Sequence, residues 1–294
     1  MNLVLVAGLG DVGRAVLSDL QAAGVPVRGL LHHPAPAGFD AVVGDLTRPE
    51  SVAAALDGVD AMFFSMPVSR DHLLAAAVVA SVARDRGGLG ALVGLSQMTV
   101  SQMTATSTDE SDQQRLHWLA ERVFDWSGLP VVHLRPTAFL DNPLFTTLAA
   151  ASIRARGTLE LPFGAGRTSP IAVVDVARAA AAILRDPAPH IGRVYELTGP
   201  RSEDLHVVAA EFSRALGREI TYVDVPPDRW EAEVLAPSGL PPHTREHIAT
   251  MARLHRENRY DRQTTDVERL TGHPPMTIES FVAARRDAYL GMHF

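Results

Sequence analysis

A glycine-rich turn near the amino terminus carries the clearest chemical signal in this sequence. The apolar run 3–7 is typical of a buried parallel strand, and the next six residues are Gly8-Leu9-Gly10-Asp11-Val12-Gly13. An amphipathic pattern that indicates a helix follows at once. A strand, a G-x-G-x-x-G turn and a helix in this order present free N–H groups to the pyrophosphate of a dinucleotide. The segment therefore predicts a dinucleotide-binding site.

Each glycine of this turn has its own expected task. Gly8 permits the tight turn, Gly10 lets the backbone approach the pyrophosphate, and Gly13 lets helix and strand pack closely. The intervening residues belong to the same predicted phosphate site: Leu9, Asp11 and Val12. A carboxylate inside the turn disfavours a nearby pyrophosphate unless it points to solvent. We therefore expect Asp11 to face outward and to support the helix N-terminus.

Two polar side chains further along the chain could take part in catalysis. Ser96 ends the apolar run 89–95, at the edge where substrate and nicotinamide should meet, and its hydroxyl could hold a substrate oxygen or only cap the strand. His117 is the best general acid or base, because the unperturbed pKa of histidine lies near neutrality. Glu121 follows one helical turn later and could either orient His117 or form an ordinary ion pair.

Composition excludes several classes of protein and chemistry. The net charge of −7 argues against a nucleic-acid partner, since such proteins usually carry a basic patch. The chain has no cysteine and no lysine, which excludes disulfides, thiolate sites and Schiff bases. His243, His247 and His255 lack an H-E-x-x-H pattern, so no metal site is expected. Without a membrane-length apolar run or a signal-peptide pattern, we predict a cytoplasmic protein with no membrane contact.

The predicted elements alternate between strand and helix over the first half of the chain. The predicted strands are 3–7, 25–31, 41–43, 59–64, 89–95 and 131–134, with helices over 49–56, 71–86 and 109–126 among the segments between them. This alternation predicts an α/β fold with a doubly wound parallel sheet of the Rossmann type, which has helices on both faces.

The rhythm changes after residue 137. Strands are expected at 171–173, 193–197 and 220–223, among helices that include 144–156, 175–184 and 203–216. We therefore expect a dinucleotide-binding domain over 1–137, completed by about 168–198. A smaller and mostly helical substrate lobe, formed by 138–167 and 199–294, should cover the carboxyl ends of the strands, where ligands bind in open α/β sheets.

A series of motifs over nearly the whole length resembles the NmrA-like family of atypical short-chain dehydrogenases/reductases. The motifs are VRGLL at 27–31, GDL at 44–46, GVDA at 58–61, His117-x-x-x-Glu121, LRPTAF at 134–139 followed by Asn142, YELTGP at 195–200 and DVERLTG at 266–272. The glycine turn is one residue shorter than the family's usual G-x-x-G-x-x-G. Because of the order and spacing of these motifs, the chain is identified as a member of this family.

The resemblance implies a set of cofactor contacts. Asp45 would accept a hydrogen bond from the adenine amino group, with Leu46 packed on the ring, and Asn142 would face the substrate cleft. The segment that passes beside the ribose would be Ser65, Met66 and Pro67. The segment that runs along the nicotinamide would be Pro136, Thr137 and Phe139.

The end of the second predicted strand bears on the choice between NADP(H) and NAD(H). An acidic residue there would bind the ribose 2′-OH of NAD, whereas a basic residue would favour the 2′-phosphate of NADP. The chain has His32-His33 at this point, and His32 aligns with the place where the family often has arginine. A protonated imidazole could meet the phosphate, although the pair could equally be idle. NADP(H) is therefore favoured, with NAD(H) as the alternative.

Short-chain reductases of the usual kind use a Tyr-x-x-x-Lys pair together with a serine. On this pattern Gln113 occupies the tyrosine position, which makes it a third catalytic candidate beside Ser96 and His117. His117 occupies the lysine position, so it could contact the ribose instead of acting as acid or base, or be merely structural. All four tyrosines lie in the second half of the chain. Carbonyl reduction by the usual Tyr/Lys pair is therefore excluded.

Apolar side chains that suit large flat substrates could line the cleft, although each could equally belong to the core. The expected substrate contacts are Gln97, Met98, Asn142, Phe145, Phe163 and Trp230. His133 lies in an alternating buried pattern and is expected to be a hydrogen-bonded core residue.

Three functions fit these observations. The first is hydride transfer from NAD(P)H to a quinone, aromatic or conjugated small molecule, which needs positioning more than a strong protein acid. The second is a redox sensor that binds NADP(H) and signals to a protein partner. The third is a non-redox tailoring reaction such as cyclisation, dehydration or coupling. The sequence does not determine the oligomeric state.

Overall fold

The computed structural model describes residues 3–33 and 40–291, which form an α/β fold. The strands are β1 Val4–Ala7, β2 Val27–Leu31, β3 Ala41–Val43, β4 Ala61–Phe64, β5 Ala91–Leu95, β6 Val131–Pro136, β7 Thr158–Leu161, β8 Val194–Leu197 and β9 Thr221–Asp224. The α-helices are α1 Asp11–Ala22, α2 Pro49–Ala55, α3 His72–Arg86, α4 Asp112–Ser127, α5 Ala150–Arg156, α6 Val173–Arg185, α7 Leu205–Leu216, α8 Pro227–Trp230, α9 Pro242–Arg256, α10 Asp266–Thr271, α11 Ile278–Ala283 and α12 Arg286–Leu290.

The main sheet confirms the predicted doubly wound architecture. The described residues form seven parallel strands in the order β3-β2-β1-β4-β5-β6-β8. The strand order reverses direction between β1 and β4, which opens a crevice at their carboxyl ends. The glycine turn after β1 lies at this crevice.

Burial on both faces explains the apolar sequences of the central strands. All four residues of β1 and of β4 are buried, as expected for parallel strands that are covered on both sides. Helices α1 and α6 pack on one face, and α2, α3 and α4 pack on the other. The sheet therefore holds the strand ends as a rigid platform.

The second lobe has its own apolar core and a small parallel sheet of β7 and β9. Helices α5, α7, α9, α11 and α12 contribute to this core. The boundary expected at residue 137 falls just before Ala138, whose side chain belongs to this second core. No helix of the described residues is both long and apolar enough to cross a membrane.

Two strand assignments differ from the sequence-based expectation. The predicted strand 171–173 is only a single bridge between Ile171 and Phe139, and α6 already begins at Val173. An Asp141 carboxylate oxygen accepts a hydrogen bond from the Val173 N–H at 2.8 Å, which favours a helix start there. Strand β7 was not predicted, because its four residues gain their ladder partner, β9, only about sixty positions later.

Candidate active site

The glycine turn has steric requirements that only glycine meets at two positions. Gly8 has a φ of +83°, and a Cβ there would lie 1.7 Å from the Ser65 carbonyl oxygen. A Cβ on Gly13 would lie 2.1 Å from the Gly8 carbonyl oxygen. The Ser65 hydroxyl donates to the same Gly8 carbonyl at 3.0 Å. The end of β4 and the start of α1 therefore clamp the turn from both sides.

The N-terminus of α1 fits an anionic group. Gly10 is the N-cap and no side chain caps the helix, while a Cβ on Gly10 would meet nothing within 4 Å. The backbone there faces open space, so the N–H groups of the first turn can bind a phosphate. Asp11 is exposed, as its outward-facing role requires. Leu9 and Val12 pack against the core and would offer only backbone.

The residues that the resemblance assigns to adenosine, at the ends of β2 and β3, are more polar than the glycine turn. His32 is exposed at the end of β2, and no acidic residue replaces it. One oxygen of Asp45 accepts hydrogen bonds from the backbone N–H and the hydroxyl of Thr47, both at 2.8 Å. The Thr47 backbone bond is the main cause of the lowered Asp45 pKa. Leu46 is only 7% exposed and packs in the core below.

A cleft of about 130 Å³ opens at the ends of β4, β5 and β6, where α9 covers them. Ligand pockets usually enclose about 300–1,000 Å³, so the enclosed part suits one planar ring. The structure brings together nine of the predicted site residues in its lining: Met66, Ser96, Gln97, Met98, His117, Pro136, Thr137, Phe139 and Asn142.

The second lobe supplies three cleft residues that sequence reasoning missed. His247, Met251 and Tyr260 reach the cleft from α9 and the segment after it. The i, i+4 spacing of His247 and Met251 indicates a shared helix face, but nothing in the sequence says which face meets the sheet. The remaining lining residues are Val68, Leu95 and Ala138.

Several polar atoms of the cleft are free to bind a ligand. Ser96 Oγ, Thr137 Oγ1 and Gln97 Nε2 are buried and have no hydrogen-bond partner within the described parts of the chain. A buried polar group without a partner is costly. A bound molecule with polar edges would satisfy these atoms, which makes this end of the sheet the place where a substrate or nicotinamide amide fits.

The imidazoles around the cleft are held neutral. The His72 and His117 ring centroids lie 4.1 Å apart. Burial, with the neighbouring His72 and His247, keeps the pKa of His117 well below 6.5. Burial lowers the pKa of His247 to about 4. His117 is thus a neutral hydrogen-bonding group, and the expectation of an acid that titrates near neutrality is corrected. No group of His, Cys, Asp or Glu in residues 3–33 and 40–291 could hold a metal ion.

Two residues assigned to the neighbourhood of His117 have structural partners instead. Glu121 does not orient His117, because both of its oxygens accept from the Arg135 guanidinium, at 2.9 and 2.6 Å. The Gln113 carbonyl oxygen accepts from the Ser69 N–H at 3.1 Å and pairs with His243 Nε2 at 2.9 Å. Gln113 thus joins the loop after β4 to α9 and lies outside the cleft lining.

Three predicted substrate contacts belong to the core of the second lobe. Phe145 and Phe163 are fully buried and meet edge to face with ring centroids 6.4 Å apart. Trp230 is 1% exposed in the same core. Their large apolar side chains pack in this core and do not line the cleft. The prediction that they contact the substrate is therefore wrong. His133 pairs with Asp125 at 2.8 Å, as predicted for a satisfied core histidine.

The two remaining predictions concern the loop after β4. Ser65 is buried and supports the glycine turn from below, whereas Met66 lines the cleft beside it. Pro67 is exposed at the rim. Only Met66 and its neighbour Val68 of this loop therefore reach the enclosed space.

Comparison with known proteins confirms the cofactor class. Residues 8–187 match the model of a family described as NAD(P)H-binding, and the chain belongs to this family. The chain is 28% identical over 295 residues to an NAD(P)H azoreductase of Xenophilus azovorans, covering 98% of this chain and 99% of the other. It is 30% identical over 298 residues to the (4-alkanoyl-5-oxo-2,5-dihydrofuran-3-yl)methyl phosphate reductase of Streptomyces griseus, again covering 98% and 99%.

Solved structures confirm the fold. The NADPH complex of an Escherichia coli quinone oxidoreductase superposes with a TM-score of 0.83, 23% identity and coverage of 96% and 99%. A Citrobacter triphenylmethane reductase complexed with NADP(H) superposes with a TM-score of 0.81 and 18% identity, covering 97% of this chain and 100% of the other. NmrA, a negative transcriptional regulator, in complex with NADP superposes with a TM-score of 0.80 and 19% identity, covering 96% of this chain and 94% of the other.

Proposed function

We propose that the protein is an NADPH-dependent reductase that transfers hydride to a quinone, azo or otherwise conjugated small molecule at the strand-end cleft. The observation that carries this proposal is the cleft itself. It lies at the same edge of the sheet as the glycine turn and contains unpartnered Ser96, Gln97 and Thr137 atoms together with neutral imidazoles. The azoreductase and the furan phosphate reductase described above are named as reductases of conjugated acceptors, azo or unsaturated lactone.

The residues at the glycine end would hold the dinucleotide. The N–H groups at the start of α1 would bind the pyrophosphate, and the exposed His32 would lie beside the adenosine ribose. When bound, NADPH would supply a hydride from C4 of its nicotinamide. The preference for NADP(H) is supported by the basic character of His32 and by the absence of an acid at the end of β2.

The residues at the reaction end would position the acceptor. Met98, Phe139 and Met251 form apolar walls against which a planar ring can lie. The Ser96 hydroxyl and the His117 imidazole are both neutral, and they can form hydrogen bonds with polar edges of the ligands. A delocalised acceptor spreads the charge of the added hydride, so the proton that completes the reduction can come from solvent at the open mouth. This chemistry relies on orientation rather than on a protein acid.

The test is oxidation of NADPH by the purified protein with four acceptors: a naphthoquinone, an azo dye, an unsaturated lactone and a triarylmethane dye. We expect saturable NADPH consumption with at least one acceptor, and a lower KM for NADPH than for NADH. Tight NADPH binding without turnover by any acceptor would contradict the proposal. Unequal affinities for NADP⁺ and NADPH would then favour the sensor, and turnover without nicotinamide would favour a non-redox enzyme.

A further inference from the structure

One imidazole of the cleft comes from the second lobe and has a defined partner on α4. His247 of α9 lines the cleft, and its Nδ1 lies 2.8 Å from the Ser111 hydroxyl oxygen. Ser111 is the N-cap of α4 and is buried. This hydroxyl therefore joins the N-terminus of one helix to a side chain that reaches the ligand space from another.

The capping box fixes the direction of this hydrogen bond. The Gln114 backbone N–H donates to Ser111 Oγ at 3.1 Å, and the Ser111 N–H donates to Gln114 Oε1 at 2.8 Å. Within residues 3–33 and 40–291, the only acceptor in contact with the Ser111 hydroxyl proton is His247 Nδ1. The arrangement that satisfies every group has the hydroxyl donating and Nδ1 accepting.

An accepting Nδ1 determines the tautomer of a neutral ring. Burial among apolar neighbours keeps His247 neutral at pH 7, so the single ring proton must be on Nε2. Nε2 has no protein partner within the described chain, and it is not among the enclosed unpartnered atoms. Since His247 lines the cleft, this N–H is a donor presented to the ligand space.

We propose that His247 Nε2–H orients the acceptor by donating a hydrogen bond to a lone pair of its carbonyl oxygen or azo nitrogen. This proposal rests on the proposed reductase function and names the class of substrate that gains from it. Quinones, lactones and azo compounds carry such lone pairs beside the conjugated system. A triarylmethane cation carries none at its reacting carbon, so it would be bound by the apolar walls alone.

Two substitutions with opposite geometry test the donor. His247→Gln places an amide N–H near the position of Nε2, whereas His247→Asn places it near Nδ1. For a quinone or azo substrate we expect His247→Asn to raise KM about five- to tenfold, the effect of one lost hydrogen bond, and His247→Gln to restore most of this loss. The Kd for NADPH and the KM for a triarylmethane dye should stay unchanged. The exposed Glu246→Gln on the same helix is the control.

A second readout separates this proposal from the proposed function. The ¹⁵N chemical shifts of the imidazole at pH 7 should show protonated Nε2 and unprotonated Nδ1 for His247, and Ser111→Gly should remove this bias while keeping most of the helix cap. A protonated Nδ1, or equal KM values for His247→Asn and wild type, would overturn the donor role even if the enzyme reduces quinones. If no acceptor is turned over, the reductase proposal fails, and the NMR result still reports the tautomer.

Discussion

The glycine end of the site, residues 4–13, is one contiguous stretch of chain, whereas the cleft that forms the reaction end is lined by segments more than a hundred residues apart. At the glycine end, the backbone of the first turn of α1 is left open by Gly10, which has no side chain. At the reaction end, Ser96, His117 and His247 come from a strand end and two helices. The two ends can therefore change independently, and a chain without the Tyr/Lys pair can keep an intact dinucleotide site.

The largest expected effect concerns the scaffold of the reaction end. Glu121→Ala leaves the half-buried Arg135 guanidinium without its bidentate partner, so we expect the free energy of unfolding to fall by about 3 kcal/mol. Arg122→Ala removes a half-exposed pair with Asp125 and should cost less than about 1 kcal/mol. Urea denaturation measures both, and equal losses would contradict the assignment of Glu121 to the scaffold.

The glycine end is tested by two substitutions with opposite steric surroundings. Gly13→Ala drives a Cβ into the Gly8 carbonyl, so we expect the free energy of unfolding to fall by about 1–3 kcal/mol. The same clash should displace the turn and abolish NADPH binding. Gly10→Ala meets no atom of the protein and should lower stability by less than about 1 kcal/mol, because alanine is a poorer N-cap than glycine. It should nevertheless weaken NADPH binding about tenfold or more by occupying the phosphate space. Unaltered NADPH titration by Gly10→Ala would refute the phosphate site at this turn.

The buried histidines make stability depend on pH at the reaction end. Burial lowers the pKa of His72 and of His247 to about 4, from an ordinary value of 6.5. Below pH 6.5 only the unfolded chain takes up these protons, so stability is complete above this pH and falls as the pH drops toward 4. Each histidine contributes up to about 1.4 kcal/mol per pH unit.

Urea denaturation at pH 7 and pH 5 measures this dependence. His247→Gln should reduce the loss between the two pH values by one histidine's share, whereas the exposed His273→Gln serves as the matched control. A loss identical in wild type and His247→Gln would mean that His247 is not held neutral by the fold.

The smallest expected effect distinguishes ligand binding from strand capping at Ser96. Its hydroxyl makes no hydrogen bond of ordinary geometry within the described residues, but it lies near the Glu121 carboxyl and helps to lower the pKa of that group, so Ser96→Ala should change stability by less than about 1 kcal/mol. We expect kcat/KM for a quinone to fall about fivefold, the worth of one hydrogen bond to the ligands. A clear drop in melting temperature with unchanged kinetics would assign Ser96 to strand capping.

The contrast between the two ends also explains what the sequence could predict. The turn, the alternating elements and the strand-end positions Ser96 and Pro136 follow from local patterns, since parallel strands place their carboxyl ends at one edge. His247 and Tyr260 could not be placed, because the packing of α9 over the sheet decides which of its faces meets the cleft. Phe145, Phe163 and Trp230 were misassigned, because a large apolar side chain looks the same in a core and in a pocket.

The central claim is that the reaction end transfers hydride from NADPH to a conjugated acceptor. The most direct measurement uses NADPH with deuterium at both C4 positions, together with a triarylmethane dye whose central carbon keeps the label after reduction. We expect deuterium on that carbon and a slower reaction with the labelled cofactor. Reduced dye that carries no deuterium on that carbon would contradict direct hydride transfer.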